Sequence, residues 1–377
     1  MNVLMIDSLV GNDYSLSLCS GLHEAGTDIQ LMVTEDRVVE TAVSFPIRHF
    51  APAKNAKQGR LKKTWLYILY LIKLPVFIFK NKIDVIHFQF LRRERMESVY
   101  LPLLRLLGIK IAYTAHNVLP HEKSRLDYFF KSLIYKSAHS IIVHSTYIKQ
   151  KLAANFTINA DKIKIVPHGN FDIYLSATPP TKKNARKQLN LPQNSKVLLF
   201  FGNIREYKGL DTLLAAFQQS AVNDEQLHLL IAGSPRNEAL KRKYQTLINE
   251  SGVQDKIIFH PQFIPTDEVE TYFMAADIVV LPYKNIDHSG IVHLAYSFGK
   301  PIIATRVGDI ETMIAEDGTG LLLKKNTPED LAETINHAFE INEELKAMGK
   351  IAQKLNGTKY SWSAIAKQTN LVYAGIE

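Results

Sequence analysis

"VLLFFGNIREYKGLDTLLAAF", residues 197–217, holds the architecture of this 377-residue chain in miniature. Its first five residues are apolar without a break. That is the pattern of a strand buried on both faces, not of one with a wet side. Gly202 ends the run, a polar loop carrying Arg205 and Lys208 follows, and Gly209 precedes a segment with Leu210, Leu213, Leu214 and Phe217 at helical spacing. Strand, loop and helix in that order form half of a parallel crossover unit.

The alternation recurs along the chain. Strand-length apolar runs stand at 3–7, 29–34, 85–90, 109–114, 141–144 and 163–166, and again at 197–201, 227–232, 257–260, 278–282, 302–305 and 320–323. Helix-like segments separate them. Two such series predict an α/β protein of two doubly wound, Rossmann-like domains facing a cleft. The break falls in "ATPPTKKNARKQLNLPQNSK", 177–196, where paired prolines and polar residues mark a linker and a short helix. The expected domains are therefore 1–175 and 196–360, joined by a linker and lead-in helix at 176–195. A closing helix at 361–377 is expected to pack back on the first domain.

Composition narrows the class. With 46% hydrophobic and 22% charged residues the chain is a folded globular protein without a disorder signature. The single cysteine, Cys19, excludes an internal disulfide and fits a reducing, cytoplasmic setting. Residues 1–7 lack a basic leader before their apolar run and read as a first strand ending in a loop, not as a secretion signal. A formal net charge of +8 calls for an anionic partner. No nucleic-acid motif accompanies it, so nucleic acid is not expected.

The most membrane-like segment begins at Leu61 and ends at Lys82, "LKKTWLYILYLIKLPVFIFKNK". Lys73 and Pro75 cut it into runs too short to span a bilayer. Two readings stay open, a buried helix or a basic, aromatic helix lying on an anionic membrane surface. Lys54, Lys57, Arg60, Lys62, Lys63, Lys80 and Lys82 favour the second, which would place the protein at the inner face of the membrane.

In doubly wound sheets ligands bind at the carboxyl ends of strands, so the chemistry is sought in the loops that follow them. Arg205 and Lys208, three residues apart before a helix, suit a diphosphate: one offers a planar fork, the other a mobile point charge. In "DHSGIVHLAYSFGKP", 287–301, Ser289 is expected to cap a helix and Gly290 to let a ligand approach the backbone. The amides of Ser289, Gly290 and Ile291 would then meet an anion, while Ile291, Leu294, Ala295 and Phe298 form the buried stripe. His116 in "YTAHNVLPHE" stands at a strand end and can serve as acid, base or donor near neutral pH, with His121 as a weaker candidate. Gly11, after the first strand, can bring backbone close to a phosphate, although the three spaced glycines of a dinucleotide fingerprint are missing. His87 and His144 lie within strands and read as packed or hydrogen-bonded; His168 reads as a turn. No His/Cys grouping has metal-ligand spacing, and no nucleophile elbow is present.

Taken together, "FGNIREYKGLDTLLAAF", "LLIAGSP", "SGIVHLAYSFGKPIIATRVGDIETMI" and "GTGLLL" resemble the C-terminal half of GT-B-fold glycosyltransferases, most like family 4. "ARKQLNLP" resembles the lead-in to that half, "YSWSAIAKQTNLVY" its closing helix, and "TAHN" the loop with the family's active-site histidine. The resemblance implies retaining transfer of a sugar from a nucleotide diphosphate donor, UDP- or GDP-linked, to a glycan or lipid-linked acceptor in surface polysaccharide synthesis. It implies no cofactor and no obligatory metal. Carried over, Arg205 and Lys208 bind the donor diphosphate, the 289–291 amides hold its distal phosphate, and His116 bonds the donor sugar. Gly202, Gly233, Gln262 and Phe263 border the nucleotide. Two glutamates usual in the family fall at Ile286 and Leu294; Asp287, His288 or His293 would substitute, Asp287 as a catalytic group. Glu311 stands one residue before the family's later glutamate. A sugar-nucleotide epimerase of the same fold, or a non-catalytic relative, are the alternatives.

Overall fold

The computed structural model describes residues 1–9, 13–37, 39, 43–51, 59–118 and 125–376. The chain divides into two compact units, Met1–Gly169 with Ser361–Glu377, and Asn170–Tyr360. Each is a parallel sheet covered by helices.

The first unit holds β1 (Asn2–Asp7), α1 (Asp13–Glu24), β2 (Asp28–Thr34), β3 (Ile47–Ala51), α2 (Arg60–Lys80), β4 (Val85–Phe90), α3 (Glu94–Leu106), β5 (Lys110–Thr114), α4 (Arg125–Ser137), β6 (Ser140–Val143), α5 (Thr146–Asn155) and β7 (Ile163–Ile165). Its sheet order is β3-β2-β1-β4-β5-β6-β7. Alternate residues of each strand feed two cores. Leu4 and Ile6 pack with α2 to α5 on one face, while Val3 and Met5 pack with α1 on the other. This two-sided burial is why the strands read as unbroken apolar runs. The strand β3 was not foreseen. Its sequence, IRHFA, alternates instead, as befits a short edge strand paired on one side to β2.

The second unit holds α6 (Lys182–Gln188), β8 (Lys196–Phe201), α7 (Leu210–Ala221), β9 (Leu227–Ala232), α8 (Glu238–Asn249), β10 (Ile257–His260), α9 (Thr266–Ala275), β11 (Ile278–Leu281), α10 (Gly290–Ser297), β12 (Ile302–Ala304), α11 (Ile310–Asp317), β13 (Gly320–Leu322), α12 (Pro328–Glu340) and α13 (Asn342–Gly357). Its sheet order is β10-β9-β8-β11-β12-β13. Val197, Leu199 and Phe201 of β8 face one core; Leu198 and Phe200 face the other.

The last helix, α14 (Trp362–Ala374), returns to the first unit and lies on α1. A Cβ on Gly21 would come within 2.7 Å of the Trp362 carbonyl oxygen, so only glycine permits this approach. Farther along, the Tyr373 hydroxyl lies 2.6 Å from Nδ1 of buried His87.

The two readings of the 61–82 segment each describe one side of α2. Tyr67, Tyr70, Leu74 and Ile78, at i, i+3, i+7 and i+11, are in the core. Trp65, Ile72, Val76 and Phe79 on the far side are more than half exposed, between exposed Lys62, Lys73 and Lys80. Among the described residues no helix is long and apolar enough to cross a membrane.

Candidate active site

In both sheets the first and fourth strands of the unit are neighbours, and the chain runs outward from them in opposite directions. Loops leaving such a pair diverge and open a crevice at the strands' carboxyl ends. In the second unit the pair is β8 and β11. Their loops, with those after β9 and β10, line a cavity of about 420 Å³.

The loop after β8 supplies Gly202, Asn203, Tyr207 and Lys208 to the wall. Gly202 has a left-handed φ of +95°, and Gly209 closes the loop at φ +69°. Lys208 is 7% exposed, its ammonium 5.5 Å from the ring centre of Tyr283. Burial, and then the Arg205 guanidinium, pull its amine from the usual lysine range down to about 8. A cation held at such a cost gains when an anion joins it. Arg205 behaves otherwise. It does not line the cavity; its Nη1 donates to the Ile204 carbonyl at 2.8 Å and the Ser234 carbonyl at 3.3 Å. The expected cationic pair is one inward lysine and one arginine bound to backbone carbonyls of its own loop and the loop after β9.

The loop after β11 brings Ile286, His288, Ser289, Gly290, Ile291 and Leu294 to the same cavity. Ser289 occupies the N-cap position of α10, but its hydroxyl makes no capping bond. The cap is instead a backbone one, the Val292 amide donating to the Ser289 carbonyl at 3.2 Å. Gly290 sits under Phe171, whose ring a Cβ would meet at 3.3 Å. The expected buried stripe needs correction. The helix is buried nearly all round, from Val292 to Ser297, and Ile291 with Leu294 faces the cavity. A helix flanked by sheet, α13 and the cavity has no solvated side, so its periodicity understated its burial.

The other expected residues divide. Gly233 lines the cavity beside Gly202, and a Cβ there would strike the Gly202 carbonyl oxygen at 2.0 Å. Phe263 lines it too, 74% exposed, while Gln262 beside it is exposed and outside the wall. His293 is buried, packed edge-on against Tyr360 at 4.9 Å, and does not reach the cavity wall. Asp287 is half-exposed and off the wall. Glu311 is half-exposed and pairs with Arg306 at 2.9 Å. Of the three proposed substitutes for the missing glutamates, only His288 is at the cavity. Its Nδ1 lies 2.6 Å from Oδ2 of fully buried Asp309, a residue the sequence reading passed over. The signal was available: Asp309 is an acid in the loop after a strand.

In the first unit, His116 lines a separate cavity of about 240 Å³ with Gln89, Glu94, Asn117 and Lys131. Its ring stacks on Phe90 at 4.3 Å and is held at both nitrogens, Nε2 3.0 Å from Gln89 Oε1 and Nδ1 3.0 Å from Nε2 of His144. The other nitrogen of His144 donates to the Val166 carbonyl at 3.0 Å. Lys131 was also missed. Burial alone would lower its amine, but Tyr113 and Glu94, the latter 3.2 Å away, outweigh this and raise it. Gly11 and His121 lie outside the described residues.

Comparison with known proteins agrees with this architecture. Residues 12–169 match the family described as Glycosyltransferase Family 4, and residues 181–355 match Glycosyl transferases group 1. A D-inositol 3-phosphate glycosyltransferase of Corynebacterium efficiens is 27% identical over 274 residues, 71% of this chain and 63% of that protein. The match thus spans less than two thirds of that relative's length. Among solved structures, a sucrose-phosphate synthase from Thermosynechococcus elongatus superposes with a TM-score of 0.79 at 20% identity, covering 99% of this chain and 98% of its own. Anabaena Alr3699/HepE in complex with UDP gives 0.79 at 17% identity, with 99% and 100% covered. With two parallel Rossmann-like units and family matches to both halves, the chain has the GT-B fold and resembles the glycosyltransferases of family 4.

Proposed function

We propose that the chain transfers a sugar from a nucleoside diphosphate donor, with UDP as the first nucleotide to try, to an acceptor hydroxyl. The observation that carries this is Lys208, a buried cation in the wall of the same cavity as the start of α10. In the transfer, the bond from the anomeric carbon to the β-phosphate oxygen breaks and a bond to the acceptor oxygen forms. The acceptor's proton passes to the departing diphosphate. Most of the barrier lies in the charge left on that group, which Lys208 and the helix amides are set to meet without a metal. Phe263 offers its exposed ring to the base. UDP is favoured because HepE is known bound to it.

On this reading the His116 cavity serves the acceptor side, and a sugar hydroxyl that reaches the ring takes the place of Gln89 on Nε2. Retention at the anomeric carbon follows when the acceptor attacks from the face that the diphosphate leaves. We read the acceptor as a glycan or lipid-linked saccharide of surface polysaccharide synthesis, reached at the inner face of a membrane in the cytoplasm. The exposed Trp65, Ile72, Val76 and Phe79 among lysines support that location.

The test is calorimetry and hydrolysis with UDP-, GDP- and ADP-sugars, with and without EDTA. The wild type should bind one nucleoside diphosphate and release it slowly from its sugar, and Lys208→Ala should abolish both. Equal turnover by Lys208→Ala, or none by the wild type with any donor, would refute the assignment. NMR of the donor alone separates transfer from epimerisation, which would change the sugar and free no nucleotide.

A further inference from the structure

At the amino ends of β8, β11 and β12, away from the donor cavity, the second unit holds another cavity, of about 500 Å³. Lys196 opens β8, Asp277 stands just before β11, and Pro301 just before β12. Another wall is α13, through Asn342, Lys346, Gly349, Lys350 and Gln353, which share one side at helical spacing. Gly349 sets how near this helix comes: a Cβ on it would lie 2.5 Å from the Gly299 carbonyl oxygen. The α13 lysines are thereby held in one cavity with Lys300, which follows Gly299 after the end of α10.

Charge is unbalanced there. Lys182, Lys196, Lys300, Lys346 and Lys350 line the cavity, and Asp277 is its one carboxylate among the described residues. That carboxylate is already bound by Lys182, by Arg186 at 2.9 Å and by the Val197 amide at 2.8 Å. Lys196 pairs with Asp224 and Lys346 with Glu343, each at 2.7 Å. Lys300 and Lys350 form no ion pair among the described residues. The Lys300 ammonium donates to the Ala276 carbonyl at 2.9 Å, and its two other N–H groups have no acceptor among the described residues. Burial, and then Lys182, pull its amine down to about 8, with Asp277 acting the other way. A cation partly stripped of water among other cations gains when a multiply charged anion joins it.

We propose that this cavity binds a small phosphorylated anion of two or more charges, through Lys300 in its wall and the exposed Lys346 and Lys350 of α13. Ammonium groups on several elements suit the oxygens of a phosphomonoester or polyphosphate, which need no planar fork. The site is separate from the donor cavity: α10 begins at one, and the residues after its end line the other. It does not depend on what the donor cavity binds.

Inorganic tripolyphosphate is the probe, titrated by calorimetry into the full chain carrying Lys208→Ala to weaken anion binding at the donor cavity. One tripolyphosphate should bind per chain, less tightly as salt rises. Adding Lys300→Met should weaken it by at least about tenfold. Adding Lys346→Ala with Lys350→Ala instead should weaken it by about fivefold. Lys324→Ala with Lys325→Ala, exposed lysines of the same unit outside this cavity, should change it by no more than about twofold. Should Lys300→Met fail to fold, the α13 pair carries the comparison. No binding, or equal losses from the α13 pair and the 324–325 pair, would overturn the proposal. So would vesicles of phosphatidic acid that lose the α13 double variant while tripolyphosphate binds to neither chain, because the lysines would then face a lipid surface.

Discussion

Gly209 lies against Pro282 so closely that a Cβ on it would come within 1.9 Å of the Pro282 carbonyl oxygen. The contact joins the loop after β8 to the loop after β11, and a backbone bond from Lys284 N to the Tyr207 carbonyl, 2.7 Å, reinforces it. Lys208 is set between these two clamps. Gly209→Ala combines the clash with an αL conformation that alanine disfavours. It should cost at least about 2 kcal/mol, read as a lower denaturant midpoint, and should weaken nucleotide binding in whatever fraction still folds. A variant as stable as the wild type would show that the two loops are free to part.

Lys208 itself should trade stability for binding. Its folded-state value of about 8 is below the ordinary 10.5. The unfolded chain therefore holds the proton more tightly between those values, and stability rises with pH across that window. Below pH 8 the full penalty is present. Lys208→Met should accordingly be more stable at pH 7, by about 3 kcal/mol at most, while losing diphosphate affinity. The wild type's nucleotide affinity should fall as pH rises through about 8, and the variant's should stay flat there. Thermal melts and calorimetry between pH 6.5 and 9.5 check both halves of the claim.

The sequence reading was strongest where a property is local. Unbroken apolar strands fixed the parallel sheets because both faces of each strand are buried, and glycines at strand ends marked the cavity loops. It was weaker where a side chain must choose a direction. Arg205 and Lys208 look equivalent three residues apart, yet the first turns to Ile204 and Ser234 and the second inward. Gln262 and Phe263 are adjacent, and only the ring meets the cavity. The pairing of His288 with Asp309 spans 21 residues and two loops, a distance that no periodicity records. The edge strand β3 was missed because half-exposed strands lose the run of apolar residues that betrays the central ones.

Buried His87 ties α14 to β4 and should shape the acid limb of stability. Burial lowers its pKa from 6.5 to about 3, so the folded state keeps it neutral. The unfolded chain takes up the proton from pH 6.5 downward, and stability is lost as pH falls through that window. His87→Gln should flatten this part of the profile. Tyr373→Phe removes the hydroxyl 2.6 Å from Nδ1 and leaves that nitrogen in a dry site. The expected cost is about 1–3 kcal/mol at pH 7.5, measured by chemical denaturation. A cost near zero would mean that water reaches the ring.

The exposed face of α2 should bind anionic bilayers in two separable ways. Trp65, Ile72, Val76 and Phe79 are 59%, 62%, 65% and 59% exposed, an apolar surface that no described residue covers. Lysines 62, 63, 73 and 80 lie on the same helix. Apolar insertion resists salt, whereas attraction of lysines to anionic head groups is screened by it. In flotation with phosphatidylglycerol-containing vesicles the full chain should rise with the lipid and shift Trp emission to the blue. Lys62→Glu with Lys63→Glu should lower recovery at low salt by several-fold, at about 1 kcal/mol per lysine near the surface. Trp65→Ser should lower it at low and high salt alike. Neutral vesicles should recover little of either. If the wild type stays at the bottom of the gradient with anionic lipid, the face serves another contact, and the acceptor need not be membrane-bound.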